Sequence, residues 1–136
     1  MSEAVLSVVP AYAAAFGLFY AGLTVRTLLL RRRHGVGVGT ANSSGEVRAL
    51  TRAVRAHGNF VEYVPICLLL ISFYELQHGP TATVHGFCLL LFTGRMIHAV
   101  GISREPEPFQ LRVISTAMTL TVLIGISVLL LLSLLA

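Results

Sequence analysis

Lysine, aspartate and tryptophan are absent from the 136 residues. Without aspartate there can be no catalytic Asp dyad, EF-hand loop or Walker-B site; without lysine there is no P-loop and no Schiff-base chemistry. Charge of either sign is scarce: 12% of residues are charged, against about 25% in an ordinary soluble domain. Two cysteines, Cys67 and Cys88, lie in apolar runs. They cannot build a disulfide framework and read as membrane-buried thiols. The five histidines show no metal-ligand spacing, so no metal site is expected. What remains is 55% hydrophobic, with a mean hydropathy of +0.80. The charge is also unevenly spread. Seven of the ten arginines fall between Arg26 and Arg55, while Val113 to Ala136 carries no charge. The composition is that of a single integral membrane domain covering 1–136.

A spanning helix needs about 20 mostly apolar residues, and four stretches qualify: Val5 to Leu30, Phe60 to Leu76, Thr81 to Ile102, and Leu111 to Leu135. The start, Met1-Ser2-Glu3, is acidic rather than basic, and the first apolar run exceeds a signal h-region, so it reads as a retained helix. A polar linker covers about 31–44. His78-Gly79-Pro80 forms a tight turn with Pro80 starting the third helix, and Arg104-Glu105-Pro106-Glu107-Pro108 is a short, stiff link. Arginines gather in the first and third links. By the positive-inside rule those links face the cytoplasm and both termini face the opposite side. Arginine without lysine suggests a GC-rich bacterial genome, hence an inner-membrane address.

Two features invite other readings. The Arg31-Arg32-Arg33 run follows a span directly, so it is a membrane anchor rather than a nucleic-acid patch. The Gly35-Val36-Gly37-Val38-Gly39 run follows no strand and lacks the P-loop lysine, so it is a flexible linker. Ser43 and Glu46 have capping-box spacing, which predicts that helix 2 starts near Ser44 and extends several turns beyond the membrane.

Charged residues in a bilayer face the bundle interior and mark function. Helix 2 carries Arg48, Arg52, Arg55, Asn59 and Glu62 at spacings of four, three, four and three, all on one face. His57 points away from it. Helix 3 adds Arg95 and His98. Arg95 either forms a structural pair with Glu62 or belongs to a ligand site, and His98 is either a packed neutral ring or part of that site. Helix 4 opens with Arg112, followed by Ser115, Thr116 and Thr119. A cation at a helix start opposes the macrodipole and calls for an anion nearby. Helix 1 offers packing: a small-residue seam of Ala14, Gly17 and Ala21, and Tyr20 with Thr24 on another face. A ligand for the arginine-rich end would carry two or more carboxylates or phosphates and one amine. Glutathione has that chemistry.

The passage Arg55-Ala56-His57-Gly58-Asn59-Phe60-Val61-Glu62-Tyr63-Val64-Pro65, with the Gly-rich linker before it and Arg95, His98 and Arg112 after it, resembles the MAPEG family (membrane-associated proteins in eicosanoid and glutathione metabolism), particularly its small bacterial members. The resemblance implies an all-α bundle of four transmembrane helices, assembled as a homotrimer, with glutathione as co-substrate between subunits near the cytoplasmic face. By position, Arg55, Asn59, Glu62, Arg95 and His98 would hold the tripeptide, Arg52 standing with them on the same stripe, and Arg112 would be the catalytic residue that stabilises its thiolate. The chain departs from the prostaglandin-synthase branch at Gly58, Ile102, Val113 and Thr116.

Two functions follow. One is a glutathione-dependent transferase or peroxidase acting on lipophilic electrophiles dissolved in the bilayer. The other is a non-catalytic lipid-binding or scaffold protein of the same fold. The expected partners are copies of the chain, membrane lipids and a lipophilic small molecule, with no nucleic acid. A transporter is disfavoured because no span is broken by an internal Gly-Pro pair.

Overall fold

The computed structural model describes residues 6–78, 81–105 and 108–135. Four long helices form an antiparallel bundle: α1 (Val9–His34), α2 (Arg48–His78), α3 (Ala82–Ser103) and α4 (Phe109–Leu135). All four are long and apolar enough to cross a membrane. The expected leader Met1-Ser2-Glu3, Gly79 and Pro80 of the second link, and Pro106 and Glu107 of the third lie outside the described residues.

Each helix buries one stripe at helical spacing. On α2 the stripe is Leu50, Ala53, Phe60, Val64, Cys67, Ile71 and Glu75; on α3 it is Val84, Cys88, Leu91, Arg95, His98 and Ile102; on α4 it is Ser115, Thr119, Val122, Ile126 and Leu130. Both cysteines are buried, as expected. α2 packs against all three other helices. Phe16 of α1 is the aromatic pivot, edge-on to Phe60 of α2 at 5.9 Å and to Phe92 of α3 at 5.2 Å.

α3 and α4 approach closely because two glycines allow it. A Cβ on Gly94 would lie 3.2 Å from Met118 Cβ, and one on Gly101 would lie 3.0 Å from Leu111 Cβ. That crossing brings Arg95 and His98 against Ser115 and Thr119.

α1 continues through the three arginines to His34 and ends at Gly35, whose φ of 64° is the left-handed conformation suited to glycine. The expected capping box at Ser43 and Glu46 does not form. The segment instead folds into a short hairpin, β1 (Ala41–Asn42) against β2 (Gly45–Glu46), with Asn42 Oδ1 accepting from Ser44 N and Gly45 at φ 112°. Glu46 accepts from Thr51 Oγ1 at 2.8 Å, and α2 begins at Arg48. Its 31 residues measure about 46 Å at 1.5 Å per residue, longer than the ~30 Å hydrocarbon core requires.

Helix 1 differs from its sequence reading in one respect. Ala14, Gly17 and Ala21 are exposed, and nothing lies within 4 Å of a Cβ placed on Gly17. The seam is therefore not used inside this chain. The larger Phe16 and Leu23 fill the intrachain face, because the gap to α2 and α3 needs volume rather than close backbone contact. The Tyr20 and Thr24 face does reach across the bundle: Thr24 Oγ1 lies 3.2 Å from His57 Nε2, and Tyr20 stacks on Phe60 at 5.4 Å.

Candidate functional site

The arginine-rich ends of α2, α3 and α4 enclose a cleft of about 730 Å³, within the usual range for small-molecule sites. Its α2 wall is the predicted stripe, all five members included: Arg48, Arg52, Arg55, Asn59 and Glu62. His98 and Ile102 come from α3, Arg112 from the first turn of α4, and Glu46 from the hairpin. Helical spacing alone puts the α2 residues in line. The close α3–α4 crossing supplies the rest.

The candidate residues divide by how the fold holds them. Arg55, Glu62 and Arg112 are exposed to the cleft. Arg52 is tied down: its Nη2 lies 2.9 Å from Glu105 Oε1 and its Nη1 donates to Arg104 O at 2.5 Å. It staples the start of α2 to the α3–α4 link. Arg26 makes a parallel tie from α1, donating to Ser103 Oγ at 2.5 Å. The two arginine-bearing links thus lie at one end of the bundle.

Arg95 does not line the cleft. It is buried, 3% exposed, directly behind the α2 wall. Its Nη1 donates to Asn59 Oδ1 and, at 3.4 Å, to Asn59 O, while Nη2 donates to Thr119 Oγ1 at 2.5 Å and to Ser115 O at 3.4 Å. Tyr63 lies beneath the guanidinium, 5.7 Å from its ring centre, within cation–π range. The expected Arg95–Glu62 pair is not made. Asn59 sits on the side of α2 nearer α3, so its amide oxygen takes the guanidinium, and Glu62 is left at the cleft surface. Arg95 therefore fixes Asn59 in place and holds the wall to α4.

His98 is held in the same network, with Nδ1 3.2 Å from Ser115 Oγ. Ser115 Oγ in turn donates to Arg112 O at 3.0 Å. The chain of bonds runs from the α2 wall through α3 to the first turn of α4, on which Arg112 sits.

Glu75, which sequence reasoning passed over, is a second buried charge among the described residues. It is 1% exposed, far from the cleft along α2. Its carboxylate accepts from Ser7 N (2.8 Å), Val8 N (2.6 Å), Val9 N (2.9 Å) and Ser7 Oγ (3.2 Å). Val8 at the N-cap makes no side-chain cap, and Glu75 supplies one from another helix. The available signal was its register, four residues beyond Ile71 on the apolar stripe of α2.

The cleft can bind a multiply anionic ligand with a cationic group. Arginines offer planar donor pairs to carboxylates or phosphates, and Glu46 and Glu62 can accept from an amine. Among the described residues, no three His, Cys, Asp or Glu side chains are grouped to hold a metal ion. Such a cleft, at one end of four helices long and apolar enough to span a membrane, is that of a polytopic membrane protein. The chain matches the MAPEG family over residues 9–132 and belongs to it. It is 33% identical over 90 residues to the inner membrane protein YecN of Escherichia coli strain K12, and equally to that of E. coli O6:H1 strain CFT073. The matched stretch is 66% of this chain and 66% of each relative, just short of two thirds of their length. No solved structure matches the chain.

Proposed function

We propose that this MAPEG protein is a glutathione-dependent transferase or peroxidase acting on lipophilic electrophiles that reach it through the bilayer. The observation that supports this best is the convergence of Arg55, Asn59, Glu62, His98 and Arg112, from three helices, on one cleft. The donor set suits the tripeptide. Arg55 and Arg48 meet its carboxylates, Glu62 meets its α-amine, and Arg112 at the first turn of α4 stabilises its thiolate. Asn59 and His98 are held ready by Arg95 and Ser115.

Two further readings belong with this one. The protein acts as a homotrimer whose neighbouring subunits complete the site, which accounts for the exposure of Arg55, Glu62 and the α1 seam in a single chain. Its arginine-rich end faces the cytoplasm, with both termini opposite, as the positive-inside rule requires; the membrane is a bacterial inner membrane, the address that the name of YecN carries.

A second function, lipid binding or scaffolding without chemistry, is favoured by one feature. Ile102 and Gly58, two of the positions at which the chain departs from the prostaglandin-synthase branch, line the cleft and offer it neither a hydroxyl nor a guanidinium. A thermal shift of the detergent-purified protein separates the two functions. Saturable stabilisation by glutathione, with turnover of a model electrophile, is expected. Stabilisation without turnover favours the scaffold, and no shift at millimolar glutathione rejects the proposed ligand.

A further inference from the structure

Asn59 lines the cleft on one side and bonds a buried cation, Arg95, on the other. Arg95 is 3% exposed and belongs to the spanning helix α3. Buried charges are normally paired with a charge of opposite sign. Among the described residues, every bond that Arg95 makes is to a neutral group: Asn59 Oδ1 and O, Thr119 Oγ1 and Ser115 O. Its Nε is buried with no partner among them. Glu62 faces the cleft instead, and Glu75 is committed to the start of α1. An arginine has donors only, so the Asn59 atom that meets it must be the amide oxygen. The planar amide then carries its NH2 group away from Arg95. Among the described residues Asn59 Nδ2 makes no hydrogen bond.

We propose that Arg95 is a positioning residue that turns the amide donors of Asn59 to the cleft, so that Asn59 and Glu62 together select an α-amino acid group. This selection rests on the glutathione site proposed above. Asn59 and Glu62 are three residues apart on α2, which puts their Cβ atoms about 5–6 Å from each other. One offers N–H donors and the other a carboxylate. The γ-glutamyl end of glutathione carries its ammonium and its carboxylate on one carbon, and the pair suits both: ammonium to Glu62, carboxylate to Asn59. Arg55, four residues before Asn59 on the same wall, adds positive charge on the carboxylate side. The guanidinium of Arg95 polarises the amide that it bonds, which strengthens the N–H donors of that amide. Arg95 thereby acts on the ligand without touching it, and its buried charge is screened less than those of the exposed arginines. An asparagine free to turn over would accept from an amine as readily as it donates to a carboxylate, and the selection would be lost.

Isothermal titration of the detergent-purified full chain tests this, with glutathione and with γ-aminobutyryl-cysteinylglycine, which lacks only the α-carboxylate. Wild type should bind glutathione about tenfold better, the equivalent of about 1.4 kcal/mol. Arg95→Met should remove that preference and leave affinity for the analogue unchanged. Arg95→Lys, which keeps the charge and a donor, should restore part of it. Should Arg95→Met fail to fold, Asn59→Asp decides the matter. It gives Arg95 a carboxylate partner, which should hold the fold, and it turns an acceptor to the cleft. Glutathione should then bind no better than the analogue. A purely structural Arg95 would lower both affinities alike, or lower Tm with the preference intact, and either result overturns the proposal. So does equal binding of the two ligands by wild type, or a full preference in Asn59→Asp. Binding with this preference but without turnover would reject the enzymatic reading and leave the proposal standing; no binding of glutathione by wild type would reject both.

Discussion

The two ends of this bundle handle buried polarity in opposite ways. At one end Glu75 has both oxygens engaged by three backbone amides and a hydroxyl of the same chain. Nothing about it asks for a ligand. At the other end Arg55, Glu62 and Arg112 stand exposed along a cleft, backed by a buried network that ends on Arg95 and His98. An intramembrane charge is a functional candidate by default. The contrast refines that rule into something testable: a charge satisfied by backbone within the chain should matter for stability, and a charge presented into a cleft should matter for binding.

The largest effect should fall on the internally satisfied end. Glu75→Ala removes the acceptor for three amides, and each unmet buried donor costs about 1–3 kcal/mol. A loss of about 3–5 kcal/mol is expected, in line with breaking other buried charged contacts. In a thermal melt it should lower Tm by more than about 10 °C, with Glu75→Gln less affected because it keeps one acceptor oxygen. Glutathione affinity of the protein that remains folded should be unchanged. Loss of affinity without loss of stability would erase the distinction between the ends.

Next come the residues that face the cleft. Arg112→Ala should lose about 100-fold in turnover of a model electrophile while affinity falls much less, since a two-unit change in thiol ionisation corresponds to about 2.7 kcal/mol. Thiolate absorbance of bound glutathione reads this directly; equal ionisation in both proteins would remove Arg112 as the activator. Glu62→Gln should weaken glutathione about tenfold, worth about 1.4 kcal/mol, by isothermal titration. Because Glu62 is exposed in the chain, melting should hardly change. A variant that melts early and binds normally would make Glu62 a structural residue.

Much of this arrangement is legible in the sequence, for physical reasons. Apolar runs of spanning length give the four helices, and spacings of four and three put Arg48 through Glu62 on one wall. Three things are not legible. Glu75 caps residues 66 to 68 positions away, and nothing in Ser7, Val8 or Val9 announces a missing cap. The spacing of Ser43 and Glu46 fits a helix start or a tight hairpin equally, and only Gly45, free to take φ 112°, favours the hairpin. Arg95 lies on the same stripe as His98, yet one turn deeper along a tight glycine crossing it points at Asn59 and Thr119 instead of the cleft. Depth along a helix depends on neighbouring backbones, which periodicity does not record.

The smallest expected effect is the sharpest test of the comparison. Arg52 lies on the cleft wall by spacing, and the sequence groups it with the glutathione ligands. In the fold its guanidinium is occupied by Glu105 and the Arg104 carbonyl. Its side chain is 20% exposed and that of Glu105 is 60% exposed, so the pair belongs to the class of surface ion pairs worth about 0.2–1 kcal/mol. Arg52→Ala should therefore cost less than about 1 kcal/mol of stability and change glutathione affinity by less than about threefold, the size of a purely long-range charge effect at physiological salt. Glu105→Gln serves as the control. It breaks the same pair without touching the cleft, and its effect on stability should be no larger than that of Arg52→Ala, which also gives up the bond to the Arg104 carbonyl. If Arg52→Ala lowers affinity tenfold or more while Glu105→Gln does not, Arg52 leaves its staple to reach the ligand. The division between satisfied and presented charges would then have to be drawn for the bound protein rather than for the free chain.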